Sequence, residues 1–210
     1  FARAPSLCCV HIVSDSTHTC IHLMIHPPHA HTNQILFENR KKGDNGSDCL
    51  LSVDGTDFRI RWLSRIFWSY KFKMCGLRYE VGIGIQSGDI CWINGPYEPG
   101  LYNDDMIFGD ALVQELEPGE RVEADDGYRG HAPEHVRCPS CISNPIEDEA
   151  MQKRVRSRHE TCNKRLKQWN ILKEIYHHNI EDHDSVFRAV AVLTQLSLEN
   201  GEPLFEVEYE

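Results

Sequence analysis

The sequence predicts an α/β fold, a mixed β-sheet flanked by helices, and three observations carry that expectation. Short apolar runs occupy residues 49–54, 77–86 and 90–94; capped segments with helical periodicity follow residue 103; and two helices close the chain after a stretch in which strand and helix alternate. With 210 residues, 40% of them hydrophobic, the chain can bury one core of ordinary size, which excludes a fibre or a wholly disordered tail. No run of about 18 apolar residues exists, so no membrane-spanning helix is expected. Leu7 to Val13 is too short and too soon polar for a secretory signal, and nine irregularly spaced cysteines read as reduced thiols of an intracellular protein. The net charge of −10 argues against a surface that grips nucleic acid everywhere.

Residues 1 to 35 differ from the rest. They hold six of the twelve histidines together with Pro27-Pro28, and read as a poorly ordered or spurious leader. His18, His22 and His26, four apart, would share one face of a helix and could bind a metal, although the two prolines oppose that helix. The start at Phe1 in place of Met points to a fragment or an incomplete gene model. Residues 36 to 210 read as one domain. Lys41 to Ser47 is turn-rich. Cys49 to Asp54 follows as a buried strand ending on an acid, then Gly55-Thr56 and a second short strand from Phe58 to Trp62. Leu77 to Gln86 and Ile90 to Asn94 form a hairpin around Ser87-Gly88-Asp89. Asn103 caps a helix over 104–116, which Pro118-Gly119 stops. Arg121 to Ala124 is a short strand leading into Asp125-Asp126-Gly127. Residues 131–146 are loop, punctuated by three prolines. A long helix spans about 147–177, and a last one runs from Ser185 to Leu198 with Asn200-Gly201 at its end.

Three acids stand where acids are uncomfortable unless used. Asp54 and Asp125 close apolar strands, and Glu160 lies midway along the long helix. A sheet can bring strand-end carboxylates together, where they repel unless a divalent cation holds them; each acid alone could equally be a turn residue or a solvated helix position. At about 100° per residue, Lys153, Arg156, Lys164 and Lys167 fall within about 40° of Glu160, opposite the apolar stripe. From Ala150 to Asn170 there are seven cations, Arg158 among them, against one acid. A polyanion is the natural counter-charge for that face. A second basic segment, Arg59 to Arg78, interleaves Arg61, Arg65, Lys71 and Lys73 with Trp62, Phe67, Trp68, Tyr70 and Phe72, which suits phosphate and base contact or a core. Three carboxylates, a basic helix face and a mixed sheet suggest two-metal phosphodiester chemistry, with hard Mg²⁺ or Mn²⁺ preferring oxygen ligands.

Val53-Asp54-Gly55-Thr56, Ala124-Asp125-Asp126-Gly127-Tyr128 and Arg156-Ser157-Arg158-His159-Glu160 with Asn163 and Leu166-Lys167 resemble, in order, the three acid blocks of Harbinger-type DDE transposases. Pro99-Gly100, Asn103-Asp104 and Ile107-Phe108 are similar to that family's segment before its first long helix. The likeness covers roughly residues 36 to 210, and 34 residues separate Asp125 from Glu160. In the family one variable residue and then Gly-Tyr follow the second acid, which selects Asp125 over Asp126. The resemblance implies a ribonuclease H-like fold, and a metal-dependent DNA endonuclease or transposase domain working in the nucleus. Asp54, Asp125 and Glu160 would be its catalytic and metal-binding residues, with two Mg²⁺ or Mn²⁺ ions. The basic helix face, through Lys153, Arg156, Arg158, Lys164 and Lys167, would hold the DNA backbone. This chain carries Asp57 where many relatives have His. It also lacks, in residues 1–35, the helix-turn-helix-like region of relatives, so a separate DNA-binding partner protein would supply targeting. A different class of reading is a catalytically silent transposon-derived remnant that keeps DNA or protein binding. His131, His135, Cys138 and Cys141, four potential ligands in eleven residues, read as a plain loop with reduced thiols; a zinc-stapled loop is the lesser alternative, cramped by that spacing.

Overall fold

The structure, a computed structural model, describes residues 14–15, 18–19, 35–141 and 145–209. The chain divides into two units, Phe1–Thr32 and Asn33–Glu210. In the first, β1 (Ser14–Asp15) pairs antiparallel with β2 (His18–Thr19). His22 and His26 lie outside the described residues, and with them the histidine metal site and most of the leader.

The second unit contains β3 (Cys49–Arg59), β4 (Trp68–Ser69), β5 (Met74–Gly84), β6 (Ile90–Tyr97), α1 (Asp104–Asp110), β7 (Arg121–Glu123), β8 (Val136–Arg137), α2 (Pro145–Leu166), α3 (Asn170–Lys173) and α4 (His183–Glu199). The main sheet runs β6-β5-β3-β7-β8, with β4 also paired to β5. β6, β5 and β3 are antiparallel, while β7 and β8 run parallel to β3. This is a mixed sheet flanked by helices, the α/β class expected and consistent with a ribonuclease H-like nuclease fold.

The residues of β3 show why helices cover both faces. Leu51 and Val53 pack with Phe108 and Leu112 beside α1, whereas Phe58 packs with Cys162 and Leu166 of α2 and Phe187 of α4. Alternate side chains of a strand point to opposite faces, so one strand serves both layers. Among the described residues no helix is long and apolar enough to cross a membrane.

Four expected boundaries move. β3 is continuous through Gly55-Thr56, because Gly55 stays in register with Glu80 of β5. α1 stops at Asp110 and gives way to a 3₁₀ turn over Leu112–Gln114, which drops Leu112 into the core. Val136–Arg137, expected as loop, pairs with β7. The long helix ends at Leu166, eleven residues early. Tyr176 cannot be helical there: its amide donates to the Arg59 carbonyl at 2.9 Å and its carbonyl accepts from the Arg61 amide, an extended pairing at the end of β3. Tertiary pairing overrides helical periodicity in that stretch.

After α4 the chain folds back as an extended segment in which Leu204, Val207 and Tyr209 are buried. Arg165 donates to the Glu202 and Pro203 carbonyls and Arg154 to that of Glu206, at 3.0 Å. The Tyr209 hydroxyl donates to Glu123 of β7 at 2.5 Å. The segment thus ties α2 to the strand that precedes Asp125.

Candidate active site

β3 and β7 are parallel neighbours, with Ser52 opposite Glu123. Asp54 and Asp125 each lie two residues further on, so pairing sets them at the same level of the sheet. Asp54 shares its face with Ser52, and that face meets α2. The Ser52 hydroxyl lies 3.1 Å from His159 Nδ1, and Asn163 Nδ2 donates to Asp54 Oδ2 at 2.8 Å. Two residues of strand advance about 6.6 Å and four of helix about 6 Å, so the two bonds form successive rungs between β3 and α2. Glu160 follows His159 and is exposed. Asp54, Asp125 and Glu160 all line one cavity of about 170 Å³, together with Lys71, Glu123, Arg156 and His159.

Burial pushes the Asp54 carboxyl up to about 6; Lys71 opposes this and the charges of Asp125 and Asp104 add to it. No donor reaches Asp54 Oδ1 among the described residues, while Asp125 Oδ1 accepts from the Gly127 amide at 2.8 Å. Asp104, at the start of α1, is a further carboxylate of this region. Its own pKa is raised by burial against the pull of Arg78, whose Nη1 lies 3.3 Å from Oδ1. Gly55 makes the room: a Cβ there would lie 2.1 Å from Asp104 Oδ1. His159 is buried and held down to about 3, chiefly by burial and then by Arg158 and Lys71, so its ring is neutral at physiological pH.

The basic face of α2 divides by what each side chain touches. Lys153 and Lys164 are exposed and Arg156 lines the carboxylate cavity. Lys167 is half-buried, its ammonium 5.2 Å from the Phe58 ring centre and 5.1 Å from that of Phe72, and desolvation brings its pKa down to about 8. Arg158 corrects the expectation. It is 1% exposed and donates to the Gly84 and Ile85 carbonyls, so it braces β5 and is not presented to DNA. At about 100° per residue Arg158 lies about 160° round the helix from Glu160, on the side that faces the sheet, whereas the other four cations share the side of Glu160.

Asp57 is also a brace here. It is buried and accepts from the Ser69 hydroxyl at 2.5 Å and from Arg78 Nε at 2.7 Å, locking β3 to β5 and to β4. Of the four residues that a zinc-stapled loop would use, only the two cysteines are brought together. Cys138 and Cys141 bring their sulfurs to 3.0 Å, but His131 Nε2 donates to the Asp105 carbonyl. Among the described residues no group of three His, Cys, Asp or Glu side chains is gathered closely enough to hold a metal ion.

Sequence reasoning missed Asp104 as a member of the site. It begins a capped helix, Asn103 Oδ1 accepting from the Met106 amide at 2.8 Å, and acids are ordinary in a first turn. The available signal was Gly55: a glycine inside a continuous strand marks a close approach.

A family model described as DDE superfamily endonuclease matches residues 53–195. No curated protein and no solved structure gives a significant match. The match spans every element that builds the cavity, from Asp54 on β3 through Asp125 to Glu160 on α2, and on it the chain belongs to the DDE superfamily endonucleases.

Proposed function

We propose that this nuclease domain cuts or transfers DNA strands with Asp54, Asp125 and Glu160 as its catalytic carboxylates, in the nucleus. One observation carries the reading: the three acids, distant in sequence, line a single cavity, two of them two residues beyond the paired Ser52 and Glu123 of parallel strands. The donor chemistry fits hard divalent cations, because the cavity offers the oxygens of Asp54, Asp125, Glu160 and Glu123, and the negative charges of Asp125 and Asp104 add to burial in raising Asp54, a repulsion that a bound cation relieves. Asp54 and Asp125 would hold Mg²⁺ or Mn²⁺ from the sheet side, and Glu160 from the helix side. Two such ions, when bound, supply activation of a water or 3′-hydroxyl and charge neutralisation at the scissile phosphate.

The remaining steps belong to the chain's own groups. Asn163 holds one oxygen of Asp54 and thereby orients the other. Arg156, Lys71 and Lys167 surround the acids with positive charge and receive the phosphate backbone, while Lys153 and Lys164 extend that contact along α2. Neutral His159 cannot donate a proton as an imidazolium; it positions β3 against α2 through Ser52. Asp54→Asn or Glu160→Gln should each lower Mg²⁺- or Mn²⁺-dependent nicking of plasmid DNA by more than about 10²-fold, the scale of losing a metal ligand. Undiminished cleavage by either variant would sink the assignment. A silent remnant is the second reading, favoured by the absence, among the described residues, of three ligand side chains gathered at one point. Mn²⁺ titration with paramagnetic broadening separates the two, since a remnant binds DNA without binding the ion at Asp54.

A further inference from the structure

A second cavity, of about 710 Å³, lies along β4 and takes no part in the phosphodiester chemistry. Leu63, Ile66, Trp68, Tyr70 and Leu101 line it, with Arg65 among them. Leu63 is 93% exposed and Tyr70 73%. Large apolar side chains collected in one open groove mark a binding surface. The groove is built by ordered backbone. Trp68 and Ser69 pair with Cys75 and Met74 of β5, and the Gly100 amide donates to the Ile66 carbonyl at 2.8 Å. Gly100 permits that closeness, since a Cβ there would meet the Arg65 carbonyl at 2.3 Å.

Charge and position indicate the occupant. Arg65 lines the groove, the Lys73 ammonium lies 6.0 Å from the Tyr70 ring centre, Lys71 adjoins Tyr70 in the chain, and among the described residues none of the three forms an ion pair with a carboxylate. Lys71 also lines the carboxylate cavity, one residue after Tyr70, and Leu101 precedes Asp104 by three residues. Through Tyr70 and Lys71 the groove and the carboxylate cavity therefore share one stretch of backbone, about 3.8 Å from one Cα to the next.

We propose that this groove receives an unpaired base of the DNA next to the bond being cut, stacked against Tyr70 and Trp68, with Arg65 and Lys71 on the flanking phosphates. The proposal rests on the nuclease reading and extends it to a subsite for single-stranded character. Aromatic faces with a cationic rim accept any base, so the subsite selects unpaired nucleotides without reading their sequence. An apolar peptide would leave the unpaired cations of the rim without a counter-charge.

The test uses the full chain and fluorescence anisotropy at fixed salt, with a fluorescein-labelled oligothymidylate and a duplex of equal length as probes. Tyr70 is exposed, so Tyr70→Ala should fold. It is expected to weaken single-strand binding about 10-fold, with duplex binding held within about twofold and Tyr70→Phe behaving as wild type. Equal losses on both probes, or none on either, overturn the proposal; no loss would leave the groove as a protein-docking surface. Asp54→Asn should lose nicking yet keep the single-strand preference, so failure of the subsite and failure of the catalytic assignment are told apart.

Discussion

Asp54 and Asp125 are placed by strand pairing, whereas Glu160 stands on the exposed side of a helix that reaches the sheet through two side-chain rungs. The sheet fixes the first two to a shared level and desolvates Asp54; Glu160 keeps its solvent and depends on α2 for its position. The shared chemical role proposed for the three acids therefore comes with opposite roles in stability. Helix side chains facing the sheet brace the fold, and those one step round the helix are open to a ligand.

The largest expected effect breaks the comparison if it fails. Asp54→Asn and Glu160→Gln should both lose more than about 10²-fold in nicking, but for different structural cost. Asp54→Asn removes a desolvated carboxylate and keeps an acceptor for Asn163, so its melting temperature should equal or exceed that of wild type. Glu160→Gln should stay within about 0.5 kcal/mol, as an exposed substitution does. A large drop in melting temperature in either variant would show that lost folding, not lost chemistry, explains inactivity.

Arg158 and Lys164 sharpen the same contrast on one helix. Arg158→Ala empties a buried site and removes a donor from two carbonyls, and should cost about 1–3 kcal/mol in denaturant unfolding. Lys164→Ala should leave stability unchanged and lower the slope of log affinity against log salt for DNA by about 1. Interchanged outcomes would mean that α2 is rotated from the orientation described.

Smaller again is the dependence on pH. Burial raises Glu80 to about 7 although the Trp92 indole donates to it at 2.8 Å, and burial lowers His183 to about 4. The folded state binds the Glu80 proton more tightly than the unfolded chain does, so stability from this group is present below about 4.5 and is lost as pH rises towards about 7. His183 acts in the other sense, its contribution lost as pH falls from about 6.5 to about 4. From pH 6 to pH 8 Glu80 should lose about 1.3 kcal/mol and His183 return about 0.8 kcal/mol, so thermal melts should fall by the equivalent of about 0.5 kcal/mol, and Glu80→Gln should turn that limb upward. An unchanged slope in the variant would remove Glu80 as the cause.

Much of the frame was legible because it is local. The cap at Asn103, the strand into Asp125 and the last helix follow from side chains within a few residues. The four cations nearest Glu160 were legible from helix geometry alone. What escaped notice depended on distant partners. Tyr176 leaves its helix to pair with β3, Asp104 joins the acids only because Gly55 lacks a side chain, and Arg158 is drawn inward by carbonyls of β5. None of these partners lies within a window that periodicity can see.

The extended segment after α4 also sets an order of events during synthesis. Tyr209 closes the connection between α2 and β7, so a nascent chain carries all three acids long before it carries the residue that fastens their supports together. Contacts between residues so far apart form late and slowly. The supports of the three acids are thus fastened to one another only after the segment that carries Tyr209 has been made.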